Sequence, residues 1–390
     1  MKTFNVVVFL GDLIGPVYYI KRFIGILQKK EIPYYVAEKT YEKSYNCKEF
    51  DEFASRPNTV MVTFNNVGIM LNTTNGNNYW KELNIPVFDY IVDHPRNYDD
   101  VMLEPPCELI VFTLDKDHMD YIKRYFPHVK PIFSPNGGTE VNSSKSIKDR
   151  TIDVLYMGSC QPKIETFPSL KGFDDNGNDF YTWCITSLIE NPMWPTEYAI
   201  DQYFFHIGYP ADEHTLYTLK SNISQYIECY VRRMFKLEGI KALDDEGIHV
   251  DIYGAQWEDE EYPFSDNIVM HPRVDRETMM ELVGDAKISL CFIPWFKKGC
   301  SEKNFDSMLN GAVCVSDHSE YLDDHYKDGE NIIYFDLNNP KQMALDIKWL
   351  LEHPDAAQMI ATRGFKTAKT YDQWENRFEH VLEVIENRIH

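Results

Sequence analysis

Five charged residues close together in the sequence could bind an anion. Lys297, Lys298 and Lys303 supply positive charge. Glu302 and Asp306 are four residues apart, and this spacing puts both carboxylates on one face of a helix. Lysine binds phosphate as a point charge, and a carboxylate can accept hydrogen bonds from a diol such as a ribose. The cluster therefore indicates a site for an anionic ligand that carries a diol.

The sequence around this cluster predicts a strand, a loop, a helix and a second strand. Apolar runs at 288–293 and 312–315 predict buried strands. Ser301 is expected to cap the helix N-terminus, and Asn310 and Gly311 to end it. A helix N-terminus behind a basic loop can bind phosphate through its free N–H groups and the helix dipole. The same order of elements occurs in every parallel α/β domain, so the two acids could instead form a solvated helix face.

The composition favours a globular protein of two domains. The chain has 390 residues, too many for one compact core, and 44% of them are hydrophobic and 14% aromatic. Its formal net charge of −22 argues against nucleic acid as a partner, because no general positive field offsets phosphate repulsion. An anionic ligand therefore needs a local cluster of positive charge, such as the three lysines.

Targeting and cysteine patterns predict a cytoplasmic protein. No apolar stretch approaches the roughly 18 residues of a membrane span, so no segment is expected to cross a membrane. The first residues pass straight into a strand-like run, without an export signal. The eight cysteines are scattered and form no CxxC pair, which fits a reducing compartment and does not indicate zinc.

Residues 1–140 alternate apolar runs with helical or turn segments. This alternation predicts a parallel, doubly wound sheet, in which ligands bind at the carboxyl ends of the strands. Gly11 and Gly15 follow the first run. They could let a ligand approach the backbone closely or simply form a tight strand-to-helix turn, and the sequence favours the two equally. The turn lacks the GxGxxG pattern of a dinucleotide site.

Asp93 and His94 are the candidate catalytic pair of this half. His94 directly follows a predicted strand and precedes Pro95, which can open a helix. It could act as a general base or as the electrostatic partner of a reacting group, with Asp93 orienting or charging the imidazole. The commoner alternative is a histidine hydrogen-bonded at a strand end. His118, further along, is expected on a helix surface.

The second half is expected to follow a linker at 141–151, in a polar stretch rich in Gly and Ser. A second α/β domain is predicted for 152–370. It carries a helical insertion at about 165–245, where no clear strands occur. The last helix, 371–390, could cross back to the first domain.

Four residues of the second half follow predicted strands. Gly158 and Ser159 follow one strand, Gly254 another and Arg273 a third. A glycine at a strand end permits close approach of the backbone to a ligand. Arg273 could contact a phosphate, although a surface arginine is an equally good interpretation.

From Val250 onward, several features occur in an order that is typical of a known family. They are a strand ending in Tyr253-Gly254, then Arg273, Lys303–Met308 before Asn310-Gly311-Ala312, and Asp328–Asn331 before a strand at 332–335. Over roughly 120 residues this order and spacing resemble the nucleotide-sugar-binding half of GT-B glycosyltransferases. Within these, the chain is most similar to the CgeB-like, "glycosyl transferases group 1" type. The N-terminal half resembles that family only in architecture.

The resemblance implies an α/β protein of the GT-B class, with two Rossmann-like, doubly wound parallel-sheet domains and a helical insertion in the second. A nucleotide diphosphate sugar, UDP- or GDP-linked, would bind between the domains, mostly to the second, without a metal ion or other cofactor. Asp306 then matches the acid that holds the donor ribose. The helix start, formed by Ser301, Glu302, Lys303 and Asn304, would face the diphosphate and sugar, with Gly158 and Ser159 near the phosphates.

One departure from the family pattern concerns the chemistry. Related retaining enzymes carry a second acid eight residues before the ribose-binding one, and here Lys298 occupies that place. A lysine could neutralise the leaving diphosphate, so stabilisation of the leaving group by fixed charge and the helix dipole becomes the main expected contribution.

The sequence thus predicts a glycosyltransferase that moves a hexosyl unit from a nucleotide diphosphate sugar to an acceptor held by the N-terminal domain. A protein, a glycan and a small molecule all remain open as acceptor. The alternative is a catalytically silent protein that binds sugar nucleotides as a sensor or assembly subunit. An oxidoreductase is a third class, which the missing GxGxxG and the basic loop disfavour.

Overall fold

The structure is a computed structural model that describes residues 4–10, 14–38, 48–141, 145–161, 175–257, 262–294 and 296–389. The chain divides into two compact units. Unit 1 comprises Met1–Gly137 and Trp374–His390, and unit 2 comprises Gly138–Gln373.

The strands of the described residues form one parallel sheet in each unit. They are β1 (Asn5–Leu10), β2 (Tyr34–Glu38), β3 (Thr59–Phe64), β4 (Val87–Ile91), β5 (Leu109–Thr113), β6 (Lys130–Phe133), β7 (Ile152–Met157), β8 (Val250–Tyr253), β9 (Ile268–His271), β10 (Ala286–Cys291), β11 (Val313–Asp317) and β12 (Ile333–Phe335).

Helices connect most of these strands. They are α1 (Ile14–Lys29), α2 (Lys48–Ala54), α3 (Tyr79–Glu82), α4 (Asp99–Leu103), α5 (Lys116–Tyr125), α6 (Asp175–Glu190), α7 (Thr196–His206), α8 (Glu213–Asn222), α9 (Ser224–Asp245), α10 (Arg276–Asp285), α11 (Glu302–Leu309), α12 (Glu320–His325), α13 (Pro340–Glu352), α14 (Pro354–Tyr371) and α15 (Trp374–Ile389). Short 3-10 helices occur at Pro95–Tyr98 and Ile147–Asp149.

The sheet of unit 1 has the strand order β2-β1-β3-β4-β5-β6, and every pairing is parallel. Its central strands are buried along their whole length and mostly apolar, as expected where helices cover both faces of a sheet. The order reverses at β1, between β2 and β3. Such a reversal opens a crevice at the carboxyl ends of the strands, where ligands of open α/β sheets bind.

The last helix of the chain, α15, packs in unit 1. Trp374 is fully buried, and its ring lies 4.6 Å from the ring of Tyr19 in α1. Phe378, one turn further, makes edge-to-face contacts with Phe23 and Phe64, with ring centroids 5.3 Å and 6.1 Å apart. The apolar face of this helix therefore completes a core that begins at the N-terminus of the chain.

The sheet of unit 2 has the order β12-β11-β10-β7-β8-β9 and is also parallel throughout. Here the order reverses at β7, which lies between β10 and β8. The long connection from β7 to β8 contains the four helices α6–α9, as the predicted helical insertion requires. Buried residues of these helices join the core of the sheet, including Cys184, Ile227 and Ile240.

Part of the predicted linker is packed into unit 2. Arg150 is buried, and its guanidinium donates to the carbonyl oxygens of Ala286 and Asn310 at 2.8 Å each. Ile147 is buried as well. The domain boundaries inferred from the sequence stay predictions, because compactness alone does not show which segments fold independently.

The fold class predicted from the sequence is confirmed: two parallel, doubly wound sheets flanked by helices, with the insertion in the second unit. The strands predicted before Gly254 and before Arg273 are β8 and β9. Among the described residues, no helix is both long and apolar enough to span a membrane.

Candidate functional site

A polar cavity of about 180 Å³ opens in unit 2 at the carboxyl ends of β7, β8 and β10. This is the point at which the strand order reverses, where ligands of such sheets bind. The lining residues are Tyr156, Gly158, Ser159, Gln161, Lys236, Gln256, Arg273, Cys291, Phe292 and Lys303. Five of the residues predicted from the sequence lie at or beside this cavity: Gly158, Ser159, Gly254, Arg273 and Lys303.

Two turns in close contact form one wall of the cavity. A Cβ atom on Gly254 would lie 2.3 Å from the carbonyl oxygen of Gly158, so the turn after β8 requires glycine there. The N–H of Gly158 donates to the carbonyl of Tyr253 at 3.0 Å, and the indole N–H of Trp257 donates to the carbonyl of Gly158 at 2.8 Å. The predicted glycines therefore serve to bring two backbone turns together beside the cavity.

Two predicted cations donate to the turn after β7. The Nζ atom of Lys303 lies 2.5 Å from the carbonyl oxygen of Met157. The guanidinium of the exposed Arg273 donates to Oγ of Ser159 at 3.0 Å. Lys303 belongs to α11 and Arg273 to the segment after β9, so two separate elements place positive charge at one turn.

Two further cations contact this turn and were not predicted from the sequence. Lys236 in α9 is only 2% exposed, and its Nζ donates to the carbonyl of Ser159 at 2.9 Å. Arg233, one turn earlier, donates to the carbonyl of Gln161 at 2.6 Å. The sequence signal that could have found them is a pair of basic residues within an otherwise core-facing helix, since buried lysine and arginine are rare without a partner.

Burial and neighbouring charge shift the pKa values of the two lysines. Burial, together with the nearby charges of Lys303 and Arg232, lowers the pKa of Lys236 to about 7. The pKa of Lys303 is also lowered, mainly by burial, although the charges of Cys291 and Glu302 oppose the shift. An anion in the cavity would stabilise the charged form of both lysines.

The N-terminus of α11 is capped by the residue predicted to do so. The hydroxyl of Ser301 accepts the N–H of Lys303, and the side-chain oxygen of Asn304 accepts the N–H of Ser301 at 3.1 Å. The Asn304 amide also donates to Oγ of Ser316 at 2.8 Å. This capping box holds the helix start, and with it Lys303, in a fixed position beside the cavity.

Asp306 lies inside unit 2, held by two hydrogen bonds. Its side chain is 0% exposed. One oxygen accepts the N–H of Thr139 and the other accepts from Arg276, each at 2.8 Å. Arg276 also contacts Glu302 at 3.0 Å, and the Glu302 side chain is 21% exposed. Arg276 thus joins the two predicted acids of α11, of which Glu302 is the more accessible.

The two lysines of the basic loop have different positions. Lys297 is buried, and its Nζ contacts the carboxylate of Asp317 and the carbonyl of His318. Its charge therefore fixes the loop to the end of β11. Lys298 is partly exposed in the same loop. The role of Lys298 at a leaving diphosphate stays a prediction.

In unit 1, His94 caps the 3-10 helix that follows β4. Its Nδ1 atom accepts the N–H of Arg96 at 3.1 Å, so a neutral ring carries its proton on Nε2. The exposed carboxylate of Asp93 accepts from Asn65 at 3.1 Å and from the Tyr98 hydroxyl at 3.0 Å. The hydrogen bond from Arg96 to His94 agrees with the alternative interpretation, a histidine that is hydrogen-bonded at a strand end. The catalytic role of Asp93 and His94 stays a prediction.

The loop after β3 also belongs to this edge of unit 1. Asn65 and Asn66 both have left-handed backbone angles, with φ of 53° and 62°. The N–H of Asn66 lies 3.3 Å and 3.2 Å from the two oxygens of Asp89. Burial raises the pKa of Asp89 to about 7, although the Asn66 hydrogen bond opposes the shift. Asparagine tolerates the left-handed conformation, which lets the loop turn back over β4.

Three further predicted residues lie in unit 1. His118 was expected on a helix surface, and that expectation is wrong: it is 4% exposed, with its ring 4.5 Å from that of His94. His118 lies on the buried face of α5, together with Tyr121 and Ile122, rather than on its exposed face. Gly15 lies in α1, and Gly11 lies outside the described residues.

A comparison with known families supports the resemblance inferred from the sequence. Residues 232–383 match the family model described as "Glycosyl transferase-like". The matched region contains Lys236, Arg273 and all of α11, and so most of the side chains around the cavity. The two-sheet fold is that of the GT-B class, and the resemblance to glycosyltransferases predicted from the sequence is confirmed over the matched region. No match was found among curated protein sequences.

Solved structures share this fold at low sequence identity. An α-glucosyltransferase, AGT, in complex with UDP has a TM-score of 0.55 and 9% identity, covering 98% of this chain and 100% of its own. Sucrose-phosphate synthase from Thermosynechococcus elongatus has a TM-score of 0.52 and 10% identity, covering 98% of both chains. TarM has a TM-score of 0.49 and 13% identity over 85% of this chain. This chain spans about half of TarM, 55% of its length.

Proposed function

We propose that the cavity of unit 2 binds the diphosphate of a nucleotide diphosphate sugar, and that the protein transfers the hexosyl unit to an acceptor hydroxyl. One observation carries the proposal: four cations on three different segments converge on the single turn after β7. In a chain of net charge −22, this local concentration of positive charge is what the binding of an anionic ligand requires.

The size and charge of the cavity suit a diphosphate. A volume of about 180 Å³ is small for a whole nucleotide sugar but is sufficient for its charged centre. Lys236 and Lys303 already point into the cavity, so little reorganisation is required when charge develops on the leaving diphosphate. Preorganised charge of this kind is usually the largest single contribution to catalysis. Lysines in this role support a transfer that does not depend on a metal ion.

The acids of α11 are proposed to hold the ribose. Of the two, Glu302 retains exposed surface, whereas Asp306 is enclosed by Arg276 and Thr139. The ribose hydroxyls would therefore meet Glu302 and Arg276, and Asp306 would hold the guanidinium in place. The solved AGT structure contains UDP, which supports a uridine nucleotide as the first donor to test.

The acceptor is proposed to bind at the carboxyl edge of unit 1. Asp93 is exposed there and already oriented by Asn65 and Tyr98, and His94 is its neighbour. An oriented carboxylate beside an imidazole suits the recognition of a hydroxyl and the removal of its proton. A cytoplasmic location stays a prediction.

A binding and hydrolysis experiment tests the proposal. UDP, GDP and their glucose conjugates are titrated by calorimetry and by thermal shift, where a ligand at 100 times its Kd adds about 2.7 kcal/mol of stability. Slow release of free sugar from the bound donor is then measured without acceptor. Binding together with release supports the transferase. Binding without release in the presence of any acceptor supports the silent sugar-nucleotide-binding protein, and no binding of any diphosphate contradicts both.

A further inference from the structure

Two glutamines at the cavity have backbone angles that glutamine rarely adopts. Gln161 and Gln256 both line the cavity, and their φ angles are 83° and 68°. These angles lie in the left-handed region, which is strained for most side chains but tolerated by asparagine. Among the described residues, seven other than glycine have such angles, and four of them are asparagine. The remaining one is Glu31, which is exposed just after α1. Strain of this kind persists where the surrounding structure enforces it, and it concentrates at functional sites.

The two strained residues lie side by side, because the residues before them are hydrogen-bonded to each other. The N–H of Cys160 donates to the carbonyl of Ala255 at 3.0 Å. The N–H of Ala255 in turn donates to Oγ of Ser159 at 3.3 Å. Gln161 and Gln256 are the next residues along the two segments. They therefore form a neighbouring pair at one end of the cavity wall.

Further contacts fix the backbone of each glutamine. The guanidinium of Arg233 donates to the carbonyl of Gln161 at 2.6 Å. Trp257, directly after Gln256, is 1% exposed, and its indole N–H donates to the carbonyl of Gly158 at 2.8 Å. Glycine would adopt the same backbone angles without strain. The strain therefore accompanies the placement of an amide side chain at each of the two positions.

Amides suit a different part of a ligand from the cations of this cavity. An amide carries no charge, and it offers two N–H donors and one acceptor oxygen. A hydroxyl group can pair with an amide in either direction, because it both donates and accepts. The oxygen of the Gln161 amide accepts only a weak S–H donor, from Cys229 at 3.8 Å. The amide of Gln256 has no hydrogen-bond partner in the part of the chain that the structure describes. Both amides can therefore bind the hydroxyl groups of a ligand.

The order of contacts along the turn after β7 indicates which part of the donor meets the amides. Lys303 contacts the carbonyl of Met157 at the start of the turn, and Glu302, assigned above to the ribose, precedes Lys303 in α11. Lys236 contacts the middle of the turn, and Gln161 lies at its far end. In a nucleotide diphosphate sugar, the diphosphate lies between the ribose and the sugar. A ribose at Glu302 and a diphosphate at the two lysines therefore leave the sugar beside Gln161.

We propose that the side-chain amides of Gln161 and Gln256 bind the hydroxyl groups of the donor sugar and thereby select the sugar. This inference rests on the proposed function, since it assigns the sugar end of the same donor. A site of this kind discriminates between sugars, because a hydroxyl that is missing or reversed leaves a hydrogen-bonding group unpaired. The fixed backbones also hold the start of each side chain in place, so the amides lose little freedom when the ligand binds.

Glycine variants separate the effect of the amides from that of the backbone. Gln161→Gly and Gln256→Gly remove the side chains and relieve the strain. Both should melt close to the wild-type temperature, because the relief of strain offsets the greater freedom of glycine in the unfolded chain. Glu31→Gly makes the same change at a left-handed position away from the cavity and is the matched control. Affinities for UDP, UDP-glucose, UDP-galactose and UDP-xylose are measured by calorimetric titration of the intact protein.

The expected result is a loss of affinity for the sugar conjugate alone. UDP should bind the wild type and the three glycine variants equally. The UDP-sugar that binds the wild type most tightly should bind Gln161→Gly and Gln256→Gly about tenfold more weakly, and Glu31→Gly as tightly as before. Gln256→Asn tolerates the left-handed backbone and retains an amide, so it should recover part of the loss. Equal weakening of UDP and the UDP-sugar would place the amides at the nucleotide and overturn the proposal, as would an unchanged affinity for the UDP-sugar in both variants.

The three UDP-sugars also test selection directly. Their affinities for the wild type should differ, and the differences should shrink in Gln161→Gly and Gln256→Gly. Equal affinities of all three for the wild type would contradict selection by this pair. The wild type also separates this inference from the proposed function. If it binds neither UDP nor GDP, the proposed function fails before any variant is compared, and the assignment of the sugar fails with it.

Discussion

The two units share an architecture but present opposite charges at the carboxyl edge of the sheet. In unit 2, lysine and arginine side chains converge on the turn after β7. In unit 1, the corresponding edge presents the exposed carboxylate of Asp93 together with His94. Both sheets reverse their strand order at this edge, so the fold supplies the crevice in each case. The residues that follow the strands decide which ligand each crevice suits.

The loops differ in the same way. Unit 2 uses glycine where two turns touch, as Gly254 does against Gly158, and so leaves backbone next to the cavity. In unit 1, Asn65 and Asn66 have left-handed conformations, and the Asn65 side chain forms hydrogen bonds with the loop after β4. A bare backbone suits close approach of phosphate, whereas amide and carboxylate side chains suit a neutral hydroxyl ligand. This difference agrees with the proposal that unit 2 binds the charged donor and unit 1 a polar, uncharged acceptor.

The largest expected effect concerns His94 and separates turnover from binding. If His94 acts on the acceptor, His94→Ala should lower kcat by a factor of roughly 10²–10⁴, as loss of a general base does, while UDP affinity is unchanged. His94→Asn can keep the cap on Arg96 without an imidazole. Steady-state kinetics of the two variants decide the matter: full activity of His94→Asn would reduce His94 to a helix cap.

A second variant tests the cations that contact the turn after β7. Lys236→Met removes one buried cation while retaining an unbranched apolar chain. A charge-assisted hydrogen bond contributes roughly 1.5–3 kcal/mol, so UDP affinity should fall by about one to two orders of magnitude, while uridine affinity should hardly change. Lys341→Ala, at an exposed position of α13, is the control. Calorimetric titration with UDP and uridine measures both, and an equal loss for the two ligands would remove Lys236 from the phosphate site.

The two acids of α11 should respond differently. Glu302→Gln should weaken binding of uridine and UDP alike, by about tenfold, because a hydrogen bond to the ribose loses its charge. Asp306→Asn should mainly lower the melting temperature, since it leaves the Arg276 guanidinium without its buried partner. Thermal melts and titrations of both variants check this division. If Asp306→Asn is stable but binds uridine more weakly, Asp306 rather than Glu302 contacts the ribose.

The smallest expected effect is a pH dependence of binding. In the empty cavity the pKa of Lys236 is about 7, so above pH 7 this lysine is mostly neutral. A bound diphosphate raises that pKa, and binding must then take up a proton. UDP affinity should therefore fall as the pH rises above 7, by at most tenfold per unit. Titrations above pH 7.5 in two buffers of different ionisation enthalpy measure the uptake, which should disappear in Lys236→Met.

The sequence predicted the fold well because its strongest signals are local. Every strand of the described residues lay within or close to a predicted apolar run, and Ser301 capped α11 as its hydroxyl indicates. The site was predicted less completely. Gly158, Arg273 and Lys303 follow strands or open a helix, and such positions can be recognised from the order of elements.

Lys236 could not be recognised in that way. It lies within the long helix α9, and only the packing of that helix against the sheet turns its side chain towards Ser159. The hydrogen bond from the Thr139 N–H to Asp306 joins residues 167 positions apart, and no local sequence pattern predicts such a contact. His118 was misjudged for the same reason, because the face of α5 that packs inward depends on the sheet beneath it.

The position of α15 has a consequence for the order of folding during synthesis. Unit 1 buries Trp374, Phe378 and Ile385 in a core whose other members precede residue 138. A nascent chain that has passed residue 373 has all of unit 2 available but still exposes the apolar surface that α15 covers. We infer that the folding of unit 1 waits for the residues of α15 and depends on contacts of very long sequence separation. Until α15 has been synthesised, the apolar surface that it covers makes unit 1 prone to aggregation.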